Sequence, residues 1–141
     1  MRVRDVMTPN PVTVRTQTTL QDAQARMIAA NCRRLPVVTE SGRICGIITD
    51  RDLRLVVNSP LILRERWQDE MLMQHTTVDA CMTPDPICIG PDAPLQDAID
   101  LLLANRISGL PVIEHDRVVG VISVTDLLRA FARLLGETQS G

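Results

Sequence analysis

Aromatic residues are almost missing from this sequence: Trp67 and Phe131 are the only two, and there is no tyrosine. Binders of single-stranded nucleic acids stack bases on aromatic side chains, so this chain lacks their usual platform. Neither sign of charge predominates, because 15 basic and 17 acidic residues leave a formal net charge of −2. No overall positive field would hold a polyanion, and we expect no nucleic-acid partner.

Long apolar runs are absent as well. No run approaches the roughly 18 residues of a membrane span, and no apolar signal-peptide core follows Met1.

The cysteines form no CxxC pair, and their scatter fits reduced core thiols better than a disulfide framework or a zinc site. They are Cys32, Cys45, Cys81 and Cys88. We therefore expect a cytoplasmic protein with no membrane or metal partner.

Catalytic motifs are the third absence. No histidine is paired with a serine or cysteine in a recognisable motif, and no GxxxxGK[ST] phosphate loop occurs. Asp50 and Asp52 are two positions apart, which points them to different sides of a helix rather than at one substrate. The sequence therefore does not predict an enzyme.

The chain does contain an internal repeat. At an offset of 75 residues three segments recur, and after one deletion near Thr39 the offset becomes 74 and pairs Gly46 with Gly120. The recurring segments are MTP (7–9 and 82–84), LQDA (20–23 and 95–98) and LPV (35–37 and 110–112). We divide the chain into repeat 1 (1–58), a connecting helical linker (59–77), repeat 2 (78–136) and a flexible tail (137–141).

Each repeat is predicted to fold as β-α-β-β-α. A short strand is expected at 12–14 and 87–89, followed by a helix capped by Thr18 in repeat 1 and opened by Pro94 at its first position in repeat 2. Hairpin strands are expected at 35–38 with 44–48, and at 110–113 with 118–122. One buried helix face is marked by Leu20, Ala23 and Met27, and by Leu95, Ala98 and Leu102. The fold class is α+β, as two α/β layers, with the repeats packed about a pseudo-twofold axis.

Both repeats end with the same strand-to-helix segment, GIITDRDL at 46–53 and GVISVTDL at 120–127. A hydroxyl at the N-cap and an Asp three positions later resemble a capping box, in which both side chains satisfy backbone N–H groups. The same corner would also suit a ligand, because a helix N-terminus favours phosphate and the Asp can accept hydrogen bonds from ribose. The residues alone leave both interpretations open.

The linker is predicted to start with a break at Pro60 and to continue as a helix. Trp67 and Met71, four residues apart, form an apolar stripe on it, and such stripes are more often core or dimer contacts than ligand contacts.

MTPxP, the Leu-Pro-Val strand and Gly-h-h-[Ser/Thr]-x-x-Asp-Leu, where h is apolar, all occur twice at a spacing of about 75 residues. This arrangement resembles a pair of CBS (cystathionine β-synthase) domains, the Bateman module. The linker is similar to that of free-standing bacterial pairs of the acetoin-utilisation type. The resemblance implies a regulatory, energy-sensing module without catalysis, with two clefts between the repeats for AMP, ADP, ATP or S-adenosylmethionine.

The resemblance also implies roles for individual residues. Asp52 and Asp126 correspond to the carboxylates that take the ribose hydroxyls. Phosphate contacts are implied for Thr49 with Arg51, for Ser123 with Thr125, and for Arg33 and Arg34. Adenine contacts are implied for Val14, Pro36, Val37, Ile89, Pro111 and Val112. Repeat 2 departs from the pattern, since Ser108 and Gly109 replace the two arginines, so we expect unequal sites.

Two functions follow as hypotheses. The first is a nucleotide-sensing module that forms a homodimer and passes its state to an effector protein that the sequence does not identify. The second is a structural or dimerisation module without a physiological ligand, in which the hydroxyl and Asp residues only cap helices.

Overall fold

The computed structural model describes residues 1–57 and 65–140 as a mixture of helices and short strands. The helices are α1 (Val3–Val6), α2 (Leu20–Ala30), α3 (Asp50–Val57), α4 (Arg66–His75), α5 (Leu95–Asn105) and α6 (Val124–Ser140), with a 3₁₀ helix at Val78–Ala80. The strands are β1 (Thr8–Pro9), β2 (Val14–Arg15), β3 (Arg34–Val38), β4 (Ile44–Thr49), β5 (Thr83–Pro84), β6 (Gly109–Glu114) and β7 (Arg117–Ser123). The predicted mixed class and both predicted hairpins are confirmed.

The chain divides into two compact units that do not coincide with the two sequence repeats. The middle unit is Val12–Pro86, and the terminal unit combines Met1–Pro11 with Ile87–Gly141. The opening segment of each repeat therefore belongs to the unit that contains the hairpin of the other repeat.

This exchange is visible in the strand order of the sheets. In the middle unit the order is β2-β3-β4-β5, with β2 parallel to β3 and the other pairs antiparallel. In the terminal unit the order is β1-β7-β6, again antiparallel. The MTP segments, whose prolines predict only extended chain, thus form edge strands, where the missing proline N–H is tolerated.

Each unit has its own apolar core between its sheet and its helices. Leu20, Ala23 and Met27 of α2 are buried, which confirms the predicted helix face. On α5, Ala98 and Leu102 are buried and Leu95 is partly buried. The largest fully buried side chains come from helix and hairpin positions of both units: Leu20, Leu35, Ile48, Leu110 and Ile122.

A methionine from each opening segment lies against a glycine of the neighbouring hairpin strand. A Cβ built on Gly120 would be 2.5 Å from the sulfur of Met7, and one built on Gly46 would be 2.5 Å from the sulfur of Met82. The glycine that begins each corner segment is therefore required by close packing of the exchanged strand.

Several predicted boundaries move by one or two residues. Helix α2 is capped by Thr19 rather than Thr18, because the Thr18 hydroxyl instead accepts a hydrogen bond from the Arg15 N–H and closes a turn. Pro94 is the N-cap of α5 rather than its first residue. The first strand of repeat 1 is Val14–Arg15 instead of 12–14, and its counterpart in repeat 2 is reduced to a single parallel bridge between Ile89 and Val112.

The connecting helix is present as α4, and Trp67 and Met71 are both exposed on it. The predicted break at Pro60 lies outside the described residues. Helix α6 runs to Ser140 and so includes most of the segment predicted to be a flexible tail. Gly136 disfavours the helix by only about 1 kcal/mol relative to alanine, and it lies between residues that favour a helix. No helix in the described ranges is long and apolar enough to span a bilayer.

Candidate functional site

The first candidate corner lies in the middle unit, where β4 ends at Thr49 and α3 begins. The Thr49 N–H donates to Oδ2 of Asp52 at 2.8 Å, and the Asp52 N–H donates to the Thr49 hydroxyl oxygen at 3.2 Å. This is the reciprocal pattern of a capping box. Both side chains stay half-buried, so solvent still reaches the carboxylate.

The second corner lies in the terminal unit, where β7 ends at Ser123. Oδ2 of Asp126 accepts from both the Ser123 N–H, at 2.9 Å, and the Ser123 hydroxyl, at 3.0 Å. The Asp126 N–H donates to the Ser123 hydroxyl oxygen at 3.2 Å. Ser123 and Asp126 are each only 8% exposed, so this corner is more enclosed than the first.

The structure shows which corner the two arginines accompany. Arg34 is the direct cross-strand partner of Thr49, and the Arg33 carbonyl accepts the Asp50 N–H at 2.9 Å. The equivalent positions in the terminal unit are occupied by Gly109, opposite Ser123, and by Ser108, whose carbonyl accepts the Val124 N–H. The backbone positions of both arginines therefore adjoin the Asp52 corner, and the equivalent positions at the Asp126 corner carry no charge.

Arg51 and Thr125 occupy equivalent exposed positions in the first turns of α3 and α6. Arg33 is also exposed, and it lines a depression of about 720 Å³ between α2, α3 and α4. Arg51 and Asp52 lie in the first turn of α3, Thr49 caps that turn from the end of β4, and Arg34 lies opposite Thr49 on β3. Four of the predicted phosphate and ribose residues of repeat 1 are thus brought together, whereas Arg33 lines the depression between the helices, whose lining includes none of those four.

The predicted adenine contacts divide between two faces of the sheets. Val14 and Val37, like Ile89 and Val112, lie in the hydrophobic cores. Because successive strand residues alternate in direction, Pro36 lies on the opposite face of β3 from Val37, and the same holds for Pro111 and Val112 on β6. The prolines therefore share a face with the corner hydroxyls, while adenine contact with the four core residues remains a prediction.

Sequence reasoning missed a polar contact made by Thr8. Its hydroxyl donates to Oδ1 of Asp126 at 3.1 Å, although 118 residues separate the two positions. The contact exists because β1 pairs with β7, with Thr8 opposite Val121. The local signal for this contact is the MTP motif itself, whose prolines predict extended chain but do not specify a partner strand.

A cysteine also lies near the first corner. Burial raises the pKa of the Cys81 thiol, and the carboxylates of Asp52 and Asp79 raise it further. The equivalent position in the terminal unit is Val6. A thiol whose pKa is raised stays protonated at neutral pH, so Cys81 is a poor nucleophile here and acts as a packing residue.

Comparison with known proteins places these corners in a family. The family model for the CBS domain matches residues 3–59 and 78–133. A CBS domain-containing protein of Dictyostelium discoideum is 36% identical over 136 residues, covering 94% of this chain and 92% of that protein.

Solved structures show the same fold. The acetoin utilisation protein AcuB of Vibrio cholerae has a TM-score of 0.80 at 27% identity, covering 100% of this chain and 97% of that one. Arabidopsis thaliana CBSX2, solved in complex with AMP, gives 0.79 at 25% identity, with coverage of 94% and 97%. The CBS domain pair of protein MJ0100, solved with 5′-methylthioadenosine and S-adenosyl-L-methionine, gives 0.75 at 26%, with coverage of 94% and 96%. With two matched segments that include both corners, this chain belongs to the CBS domain family as a tandem pair.

Proposed function

We propose that the chain is a regulatory module that binds adenosine-containing ligands at its two corners and passes the bound state to a partner protein. The output belongs to that partner, because the proposal assigns no catalysis to the chain. A module of this kind requires a ligand with different affinities for two states. The proposal places the module in the cytoplasm, where thiols such as those of this chain stay reduced.

The observation that carries the proposal is the repeated corner. In each unit a hydroxyl, a carboxylate and the first turn of a helix meet within four residues of sequence. Helix N-termini favour phosphate, and a carboxylate accepts hydrogen bonds from ribose hydroxyls. Support comes from CBSX2, solved with AMP, and from the MJ0100 pair, solved with 5′-methylthioadenosine and S-adenosyl-L-methionine.

The arginines refine the choice of ligand at the Asp52 corner. Arg34 lies opposite Thr49 at the start of β3, Arg51 lies in the first turn of α3, and Arg33 immediately precedes β3. Guanidinium groups bind phosphate oxygens through paired, charge-assisted hydrogen bonds. This corner therefore suits AMP, ADP or ATP better than S-adenosylmethionine, which carries no phosphate.

We expect adenine nucleotides to raise the melting temperature of the protein. A ligand that binds only the folded state adds about 2.7 kcal/mol to the free energy of unfolding at a hundredfold excess over its Kd. For a chain of this size the midpoint should rise by roughly 5–15 °C. Thermal melts with AMP, ADP, ATP and S-adenosylmethionine measure the effect, and adenosine serves as the phosphate-free control.

The second candidate function is a structural module without a ligand. The observation in its favour is that Thr49 with Asp52, and Ser123 with Asp126, complete both capping boxes without any ligand. Melting curves that do not change at millimolar concentrations of all four compounds would favour this structural role. An increase with AMP that adenosine does not reproduce would favour the nucleotide module and its phosphate contacts.

We also propose that the chain is a homodimer, because helix α6 exposes an apolar face. Leu128 is 62% and Phe131 57% exposed, and Leu135, one further turn along, is 47% exposed. Contiguous exposed apolar patches mark protein interfaces. We expect light scattering to give twice the chain mass of 15.6 kDa at micromolar concentrations.

The double substitution Leu128→Glu with Phe131→Glu should shift that mass to the monomer, because charges on this face oppose its burial. Arg129→Glu changes the charge of the same helix at an exposed position and should leave the mass unchanged. A monomeric wild-type protein would refute the dimer without affecting ligand binding at the corners.

A further inference from the structure

The two candidate ribose carboxylates differ in the number of acceptor positions that remain open. An ionised carboxylate offers about four acceptor positions on its two oxygens. At Asp126, Oδ2 accepts two hydrogen bonds from Ser123, and Oδ1 accepts a third from the Thr8 hydroxyl at 3.1 Å. About one position is therefore left.

Asp52 is far less occupied. Its Oδ2 accepts one hydrogen bond, from the Thr49 N–H, and no other hydrogen bond to this carboxylate is present in the described part of the chain. About three acceptor positions remain. A ribose presents two adjacent hydroxyls, so Asp52 can accept from both while keeping its cap, whereas Asp126 cannot accept from both without losing a bond that it already has.

The hydroxyl groups of the two corners differ in the same direction. The Ser123 hydroxyl has one hydrogen to donate, and it donates that hydrogen to Asp126. The Thr49 hydroxyl accepts from the Asp52 N–H and donates to no residue in the ranges that the structure covers. Its hydrogen is available for a phosphate oxygen. The Asp52 carboxylate and the Thr49 hydroxyl are thus both available to a ligand. The Ser123 hydroxyl and most acceptor positions of the Asp126 carboxylate are used within the protein.

The sequence repeat does not explain why Asp126 is more occupied than Asp52, because both repeats contain the same threonine. Thr83 is the counterpart of Thr8, and it lies opposite Ile47 in the same way that Thr8 lies opposite Val121. In the described residues Thr83 makes no hydrogen bond to Asp52, so only one of two equivalent threonines closes its corner.

From these contacts we infer that Thr8 and Ser123 keep Asp126 closed to ribose, so that each chain binds its first adenosine ligand at Asp52. This inference rests on the proposed function and adds a regulatory residue to it. A second ligand binds at Asp126 only when it displaces the Thr8 hydroxyl, which makes Thr8 the residue that sets the threshold for second-site binding.

The test uses AMP and isothermal calorimetry in an Asp52→Asn background, where the Asp52 site is weakened at least about a hundredfold and the heat of binding at Asp126 can be followed. Thr8→Val keeps the β-branched shape suited to the strand and removes the donor. It should strengthen AMP binding about fivefold, the equivalent of one neutral hydrogen bond of about 1 kcal/mol. Thr8→Ser retains the hydroxyl and should behave like Thr8, and Thr83→Val should leave the affinity unchanged.

The outcomes separate this inference from the function on which it rests. If the wild-type chain binds no adenosine compound, both fail. If it binds AMP but Thr8→Val leaves second-site affinity unchanged or weakens it, the closing role of Thr8 is overturned while the nucleotide module stands. An equal, fivefold gain in AMP affinity with Thr83→Val would also overturn the closing role of Thr8, because Thr83 makes no hydrogen bond to Asp126 in the described residues. Melting curves of each variant confirm that the affinities refer to folded protein.

Discussion

Replacing Asp52 by Asn is expected to lower the affinity for AMP at least about a hundredfold. Two ribose hydroxyls donating to a carboxylate make two charge-assisted hydrogen bonds, each contributing about 1.5–3 kcal/mol, and the amide nitrogen of Asn cannot accept either of them. The amide oxygen can still accept the Thr49 N–H, so the cap of α3 is retained. Calorimetric titration with AMP measures the loss.

Asp50→Asn is the matched control, because Asp50 lies two residues earlier in the same helical turn. Its carboxylate forms an exposed ion pair with Arg54 at 3.2 Å, and such pairs contribute little to stability. AMP affinity should therefore stay within about twofold of wild type, because the Asp50 charge is exposed and its electrostatic effect on a bound nucleotide is screened by salt. Equal losses in the two variants would indicate that AMP responds to negative charge near α3 and not to a ribose contact.

Replacing Gly46 or Gly120 by Ala is expected to destabilise the fold by about 1–3 kcal/mol each, through overpacking. The new Cβ would meet a methionine sulfur at 2.5 Å in both units, and a backbone oxygen at 3.1 Å from Gly46 or 3.0 Å from Gly120. The melting midpoint should fall by roughly 3–15 °C in each variant. Because the two sites lie in different units, the double variant should lose close to the sum.

Gly136→Ala provides the control for the glycine variants. A Cβ at Gly136 has nothing within 4 Å, and the position lies inside α6, where Ala is favoured over Gly by about 1 kcal/mol. This variant should melt at the same temperature as wild type or higher. Met7→Ala combined with Gly120→Ala should cost less than the sum of the two single changes, and strict additivity would show that Met7 is not the obstacle.

The hairpins and the corners were predictable because each is encoded by neighbouring residues, and the repeat was predictable because its segments recur in the same order at a nearly constant offset. Gly46 to Asp52 and Gly120 to Asp126 contain both the strand and the cap, and the alternation of apolar residues fixes the hairpin faces. The wrong prediction of Thr18 as the cap of α2 also has a local cause. Thr18 and Thr19 are both suitable caps, but the Thr18 hydroxyl accepts the Arg15 N–H, which leaves Thr19 to accept the Asp22 N–H.

The exchanged opening segments were not predictable from one sequence. A two-residue strand such as Thr8–Pro9 has too few side chains to specify its partner, and no local pattern says that it pairs with a strand more than 100 residues away. The Thr8 contact with Asp126 depends on that pairing. The grouping of the arginines with Asp52 also became clear only from the register of Arg34 with Thr49.

The division of the chain into a continuous and a discontinuous unit has a consequence for synthesis on the ribosome. The middle unit needs only residues up to Pro86, so its sheet can close while the rest of the chain is still being made. The terminal unit needs Met1–Pro11 together with residues that emerge after Ile87. Bringing the ends of so long a loop together costs entropy that grows only logarithmically with its length, but the step must wait for translation. The segment Met1–Pro11 is made before the middle unit and is therefore among the last to find its partner strand.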